Sequence, residues 1–317
     1  MSFERVIGQD TAVSLLKSAL REGKKGLSYL FYGPKGTGKS FTALQFAKSL
    51  NCENGTRGCC DGCPSCARAE KLSYPDLHWL DYEAESQTVK IEQVRAIQSA
   101  AGLRPFEGRV KVFVVNNCQN LSEEAGNSLL KIVEEPPLDT VIILIAESSR
   151  SVLPTIVSRC RKIKFTNTSR GELVRILQDK GADEKLSGYL AYSSSGRIGQ
   201  AISELQNQPL EERDAILLKI FNPVKSEDML KDKEEAHKAL TVIMQWHRDI
   251  LMLKLGLPED YLINRDRLEE LRQAARVNSY SSLISVIDTA GMTFEYLKRN
   301  LNTRLLSDNI QISLKNG

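Results

Sequence analysis

The sequence lacks any long apolar run. The longest such run, VIILIA at Val141 to Ala146, has far too few residues to cross a bilayer. The opening stretch, MSFERVIGQD, is charged from its fourth residue and contains no apolar segment of the secretory type. We therefore expect a cytoplasmic protein that does not associate with a membrane.

The sequence also has little net charge and few histidines. A formal net charge of +3 over 317 residues argues against a strongly electrostatic nucleic-acid binder, while leaving room for a local basic surface. The histidines, His78, His237 and His247, are scattered and are expected to be structural. With 41% apolar and 26% charged residues, the chain has the composition of a globular protein. Its length predicts two or three packed units.

The first half of the chain alternates short apolar runs with segments of helical periodicity, which predicts a parallel sheet covered on both faces. The predicted strands are Leu27 to Gly33, Asp76 to Tyr82, Lys111 to Asn116, Val141 to Ala146 and Lys162 to Asn167. Beyond Ser169 the strand patterns nearly vanish and helical patterns remain. We predict a sheet domain at 1–166, a three-helix domain at 167–208 and an all-helical domain at 209–317.

A phosphate-binding loop follows the first strand. Its pattern, G-x-x-x-x-G-K-[ST], covers Gly33, Pro34, Lys35, Gly36, Thr37, Gly38, Lys39 and Ser40. In such loops backbone N–H groups surround the phosphates, the lysine reaches the outer phosphates and the hydroxyl ligates magnesium. A strand before the pattern and a helix after it favour this interpretation over a chance match. The loop makes ATP or ADP with Mg²⁺ a candidate cofactor.

The acidic pair that hydrolysis requires is missing. The strand that should carry it ends in Asn116 and Asn117. An amide brings no negative charge to Mg²⁺ and cannot take a proton from water, so turnover should be badly impaired. The alternative is that another strand carries the acids, and Asp81 and Asp139 are then the candidates.

Five of the seven cysteines lie between Cys52 and Cys66. Cys60, Cys63 and Cys66 form C-x₂-C-x₂-C, and with Cys52 they match a tetrahedral structural zinc site in the module 52–66. Cys59 is the surplus thiol and is an alternative ligand to Cys60. A redox role is less favoured, because no thioredoxin-like unit surrounds the motif.

Arg159 lies just before the last predicted strand, in the stretch SRC. An arginine there is commonly a surface or ion-pairing residue. Its other interpretation is an arginine finger directed at a nucleotide on a neighbouring subunit, a contribution that is worth about 10³ or more in phosphoryl transfer.

Taken together, these motifs resemble one family, the AAA+ subunits of the bacterial DNA polymerase III clamp loader. The resemblance rests on FERVIGQD, YLFYGPKGTGKS, the cysteine module, NSLLKIVEEPP, SRC and NLNTRLLSDNIQISL. It implies an α/β plus all-α fold: an AAA+ P-loop parallel-sheet domain with a zinc-binding insertion, a small helical lid domain and a C-terminal helical collar domain. The implied partners are gamma/tau and delta subunits in a hetero-pentamer, the sliding clamp and primed DNA.

Departures from the motor subunits of that family favour its delta prime branch. Motors carry an Asp-Glu pair in place of Asn116 and Asn117, a threonine sensor near Ala146 and Glu147, and a lid arginine where this chain has Gly199. The resemblance implies a mostly non-hydrolysing stator that supplies Arg159 in trans. The alternatives are a gamma/tau-like ATP-hydrolysing motor and a stand-alone nucleotide switch.

DNA contacts are expected on the inner face of the implied ring. The candidates are the helix N-terminus near Lys90 to Arg95 and the basic residues Arg104 and Arg109. Backbone amides and helix dipoles can hold phosphates without a large net charge.

Overall fold

The computed structural model describes residues 2–23, 25–55, 58–81, 91–221 and 233–298. The chain divides into two compact units. The first comprises Met1–Ser169 with Arg197–Gln200, and the second comprises Arg170–Gly196 with Ala201–Gly317. None of the described helices is long and apolar enough to span a membrane.

The first unit is built on a parallel five-stranded sheet of order β2-β3-β4-β1-β5. The strands are β1 Leu27–Tyr32, β2 Leu77–Leu80, β3 Lys111–Val115, β4 Thr140–Ala146 and β5 Arg161–Lys164. Strands β3 and β4 are buried along their whole length because helices cover both faces of the sheet. The predicted parallel sheet is confirmed.

Helices on the two faces of the sheet enclose two separate apolar clusters. They are α1 Asp10–Glu22, α2 Lys39–Asn51, α3 Pro64–Glu70, α4 Ile91–Ala101, α5 Glu123–Glu134 and α6 Pro154–Val157. Since side chains alternate along a strand, Phe31 packs with Phe46 on one face while Leu30 packs with Leu129 on the other. Ser122 caps the N-terminus of α5, and its hydroxyl accepts a hydrogen bond from the N–H of Ala125 at 3.2 Å.

The described part of the second unit is helical, as the sequence predicted. Its helices are α7 Arg170–Asp179, α8 Glu184–Ser193, α9 Ile198–Glu204, α10 Pro209–Phe221, α11 Lys233–Lys254, α12 Leu268–Val277 and α13 Tyr280–Lys298. Residues Arg197–Gln200, which include the start of α9, belong to the first unit. The closing helix expected near Asn302 to Leu314 lies outside the described residues.

A buried ion-pair group joins helices within the second unit. The guanidinium of Arg213, whose side chain is 1% exposed, lies 2.6 Å from Asp266 and 2.7 Å from Asp214. It also lies over the ring of Tyr189 in α8, 5.1 Å from the ring centroid. Helix α8 and helix α10 are thus fixed together. The change of unit falls at Ser169/Arg170, and the finer domain boundaries at 166/167 and 208/209 stay predictions.

The loop between α4 and β3 is held by one buried carboxylate. Asp76 accepts hydrogen bonds from three consecutive backbone N–H groups, those of Phe106, Glu107 and Gly108, at 2.7, 2.9 and 2.7 Å. Burial would raise the pKa of this carboxyl, but the backbone N–H groups hold the pKa below its usual value. The charged carboxylate therefore stabilises the loop.

We expect Asp76→Ala to lower the free energy of unfolding by about 1–3 kcal/mol, because the N–H donors lose their acceptor. Because the folded-state pKa is depressed, the contribution is present at pH values above about 4 and is lost as pH falls through the folded-state pKa. Urea unfolding at neutral pH and at pH 3 measures both effects.

The matched control is Asp139→Asn, which removes the charge of an exposed carboxylate that pairs with Lys25 at 2.8 Å. An exposed pair of this kind contributes about 0–1 kcal/mol. Equal decreases in the free energy of unfolding for the two variants at neutral pH would contradict the role of Asp76 in stabilising the loop.

Candidate functional site

The predicted phosphate loop connects β1 to α2, and its backbone requires glycine. Gly33, Gly36 and Gly38 have φ values of 152°, 77° and 87°, a region that other residues rarely adopt. A Cβ atom added to Gly33 would lie 2.1 Å from the carbonyl oxygen of Phe165. All eight predicted loop residues, from Gly33 to Ser40, lie in this turn and the start of α2. The loop therefore fits a polyphosphate placed at the N-terminus of α2.

The loop lysine is held by the loop itself. Its Nζ atom donates hydrogen bonds to the carbonyl oxygens of Gly33 at 2.6 Å and Pro34 at 2.7 Å. Burial lowers the pKa of Lys39 to about 8, and the negative charge of Glu147 opposes this shift. The ammonium group thus lies at the mouth of the loop, where a phosphate could replace the carbonyls as its partner.

The magnesium position of the loop faces an amide. Ser40 Oγ donates a hydrogen bond to Asn116 Oδ1 at 3.2 Å, and Asn116 directly follows β3. The Asn116 amide nitrogen donates in turn to Asp81 at 2.8 Å, and the Asn117 amide donates to the same carboxylate at 3.1 Å. Ser40, Asn116 and Asp81 therefore form a hydrogen-bonded chain along the carboxyl edge of the sheet.

The two spare acids considered from the sequence have different positions. Asp81 follows β2, and the pairing of Leu80 with Val115 brings it beside Asn116. Asp139 precedes β4 and therefore lies at the opposite edge of the sheet, in an ion pair with Lys25. Of these two acids, only Asp81 lies near the phosphate loop. Its position depends on the order of the strands in the sheet.

Glu147 is a second acid beside the loop. It directly follows β4, and the N–H of Gly33 donates to the carbonyl oxygen of Ala146 at 3.3 Å. The register pairs Tyr32 with Ala146, so Gly33 and Glu147 leave neighbouring strands at the same level. The sequence comparison with motor subunits noted Glu147 near the position of their threonine sensor. It did not predict that the charge of Glu147 would oppose the lowering of the pKa of Lys39 by burial.

Four of the cysteines converge. The Sγ atoms of Cys52, Cys60, Cys63 and Cys66 all lie within 4.8 Å of one another. Thiolates about 2.3 Å from a tetrahedral zinc ion stand roughly 3.8 Å apart, so the spacing suits that geometry. The N–H of Cys60 donates to Cys52 Sγ and that of Cys63 donates to Cys60 Sγ, each at 3.3 Å. The cluster can hold a metal ion and is compatible with zinc.

Cys59 packs beside the converging thiols but is not one of the four. Its thiol donates to Asp61 at 3.1 Å and to the side-chain oxygen of Gln45 in α2 at 3.6 Å. Lys48, also in α2, pairs with Asp61 and with Glu70, and its side chain is 2% exposed. These contacts attach the cysteine module to the helix that begins at the phosphate loop. The structure thus places Cys60, rather than Cys59, with the other three thiols.

Arg159 lies at the surface, after the short helix α6. Its side chain is 36% exposed, and its guanidinium lies 3.0 Å from the carboxylate of Glu134. A further hydrogen bond runs to the carbonyl oxygen of Thr155 at 3.0 Å. The guanidinium is far more accessible than that of the buried Arg213, and its intrachain partner is an exposed carboxylate.

We expect one zinc ion per chain by elemental analysis after dialysis against a metal-free buffer. Cys60→Ser should reduce the zinc content and the melting temperature, because it removes one of four thiolate ligands. Cys59→Ser is the matched control and should retain the metal. A fully folded, metal-free wild-type chain would contradict the zinc assignment, as would equal zinc loss in the two variants.

Comparison with known proteins gives a family match over most of the first unit and similar proteins whose likeness extends further along the chain. A family model described as DNA polymerase III, delta subunit, matches residues 8–169. The DNA polymerase III subunit delta' of Bacillus subtilis is 26% identical over 98% of this chain and 97% of its own length. The tau subunit of Escherichia coli is 33% identical over 67% of this chain, which spans 34% of that protein.

Among solved structures, a DNA polymerase III gamma subunit-related protein of Thermotoga maritima superimposes with a TM-score of 0.55 at 16% identity. The likeness covers 96% of this chain and 98% of that one, and at this identity it shows the fold alone. The family match, the relatives and the motifs agree. The chain belongs to the DNA polymerase III delta subunit family, and its relatives include both delta' and tau subunits.

Proposed function

We propose that this chain is a delta prime-like subunit of the DNA polymerase III clamp loader. In this role it is a mostly non-hydrolysing stator within a hetero-pentamer that contains gamma/tau and delta subunits. It supplies Arg159 in trans to the ATP of a neighbouring subunit and helps load the sliding clamp onto primed DNA. A delta' subunit matches this chain over 98% of its residues and over 97% of its own length, which supports the proposal.

The observation that carries the proposal is the amide at the magnesium position. Hydrolysis needs a carboxylate that offsets the charge of Mg²⁺ and a group that orients the attacking water. Here Ser40 faces the neutral side chain of Asn116, which in turn is bonded to Asp81. The loop can cradle phosphates, while among the described residues the hydrogen-bond partner of Ser40 is an amide in place of a carboxylate.

The exposure of Arg159 supports a role outside its own subunit. An arginine that acts in trans must reach a nucleotide on another chain, so it has to lie at the surface. Arg159 does so, and the pair with Glu134 is exposed on both sides. Such pairs contribute little to stability, which allows Arg159 to exchange Glu134 for a phosphate oxygen.

An apolar stripe on α13 supports assembly through the C-terminal helices. Tyr280, Ile284, Met292 and Tyr296 are 46%, 47%, 57% and 41% exposed. They recur at every fourth position except 288, where the exposed Asp288 interrupts the stripe, and they spread over about 160° of the helix surface. The exposed apolar groups on the two sides of Asp288 suit packing against a partner chain.

A second candidate function is a gamma/tau-like, ATP-hydrolysing motor. The observation that favours it is Asp81, whose carboxylate lies one amide away from Ser40. Both Asn116 and Asn117 donate to this carboxylate, however, so it is already engaged as an acceptor. We therefore retain the stator as the better-supported function.

Contacts with DNA stay at the level of the sequence prediction. Arg95, Arg104 and Arg109 are exposed on α4 and the loop that follows it, whereas Lys90 lies outside the described residues. Exposed basic groups at the start and the end of one helix suit contacts with a phosphate backbone. We propose them as the DNA-facing group of this subunit.

We expect Arg159→Ala to lower the DNA-stimulated ATP turnover of the reconstituted loader by about 10³-fold at the site that it serves, since a finger arginine is worth that much. The complex is assembled with gamma-type partners, clamp and primed DNA, and phosphate release is measured. The matched control is Arg161→Ala, which removes a nearby exposed arginine that lies 3.6 Å from Glu22. An unchanged rate in Arg159→Ala complexes of normal composition would remove the finger role.

We also expect a charge on the α13 stripe to weaken assembly. Ile284→Asp combined with Met292→Asp should lower the affinity for partner subunits by at least about tenfold, because two further carboxylates, in addition to Asp288, would be buried in the interface. Val277→Asp, at a residue that is 79% exposed outside the stripe, is the control. Sedimentation of the mixed subunits measures assembly, and circular dichroism checks the fold. Normal assembly of the double variant would contradict a role for the stripe.

A further inference from the structure

The side of the phosphate loop that faces the sheet is acidic. Strand β4 lies beside β1 in the sheet, and the N–H of Gly33 donates to Ala146 O at 3.3 Å. Glu147 is the next residue after Ala146 and is exposed. Its carboxylate is close enough to act on the charge of the Lys39 ammonium group, so it borders the phosphate loop on the side of β4.

A nucleoside triphosphate would have to place its last phosphate on that side. The loop amides and Lys39 hold the phosphate in the cradle, and Ser40 marks the direction of the metal. Beyond Ser40 lie the Asn116 amide and then the Asp81 carboxylate. Glu147 ends β4, which lies between β1 and β3 in the sheet. A third phosphate that extended past Ser40 would therefore add negative charge near two carboxylates, Glu147 and Asp81, and a diphosphate would carry one charged group fewer.

The other side of the loop is closed by a close backbone contact. The N–H of Gly199 donates to the carbonyl oxygen of Gly36 at 2.8 Å. A Cβ atom added to Gly199 would lie 3.0 Å from that oxygen, and one added to Gly36 would lie 3.3 Å from Arg197 Cβ. Position 199 thus offers no side chain to a phosphate. Arg197 packs at the Gly36 turn, whereas Glu147 follows the strand beside Gly33.

We propose that this loop selects a nucleoside diphosphate over a nucleoside triphosphate, and that Glu147 is the residue that rejects the third phosphate. The carboxylate acts by charge repulsion, which water screens in part because Glu147 is exposed. The selectivity concerns nucleotide binding by this chain alone. It is independent of Arg159 acting in trans, so its failure would leave the proposed stator role standing.

The test is a comparison of two affinities for each variant of the full-length chain. Isothermal titration in the presence of Mg²⁺ gives the dissociation constants of ADP and of a non-hydrolysable ATP analogue. We expect the wild-type chain to bind ADP about tenfold or more tightly than the analogue, the size of effect that one nearby like charge produces. Glu147→Gln should bring the ratio close to one by tightening the analogue, with ADP affinity almost unchanged.

Two control variants accompany it. Glu211→Gln makes the same charge change at an exposed residue of α10 and should keep the wild-type ratio. Lys39→Ala should weaken both nucleotides, which shows that they bind at the loop.

Three results would overturn the proposal. They are equal or tighter binding of the analogue by the wild-type chain, an unchanged ratio in Glu147→Gln, and no binding of either nucleotide at millimolar concentration. In the last case phosphate release by the reconstituted loader still reports on Arg159. The two failures can therefore be told apart.

Discussion

One hydrogen-bonded chain, from Ser40 through Asn116 to Asp81, determines what the phosphate loop can do. It exists because β3 lies next to β2 and both strands end at the same edge of the sheet. The amide takes the place next to the Ser40 hydroxyl, and the Asp81 carboxylate is held one step further away. We propose that this arrangement leaves the phosphate loop without the magnesium-binding acid that hydrolysis requires.

Much of the fold could be predicted from the sequence, because the relevant signals are local. Short apolar runs separated by helical periods indicate a parallel sheet, and the structure confirms it. The loop glycines have backbone conformations that other residues rarely adopt. Their spacing in the sequence was therefore enough to predict a phosphate-binding loop. The cysteine spacing likewise indicated which thiols could converge. It left Cys59 and Cys60 open, and the structure places Cys60 with the others.

The features that the sequence could not provide are contacts between distant segments. The position of Asp81 follows from strand order, which a single sequence does not state. The contact of Gly199 with Gly36 spans much of the chain, and its close backbone approach depends on two residues without side chains. The pair of Arg159 with Glu134 depends on how α5 ends relative to α6. In each case the residue itself could be read from the sequence, but the neighbour that it contacts could not.

We propose that the loop is a phosphate cradle without the means of hydrolysis. A single-turnover measurement of ATP cleavage tests this proposal, with the purified chain in excess over labelled ATP and with Mg²⁺ present. We predict no cleavage above the rate of the Lys39→Ala variant. Cleavage that depends on Lys39 would contradict the account, and its loss in Asp81→Asn would show that Asp81 serves as the missing acid.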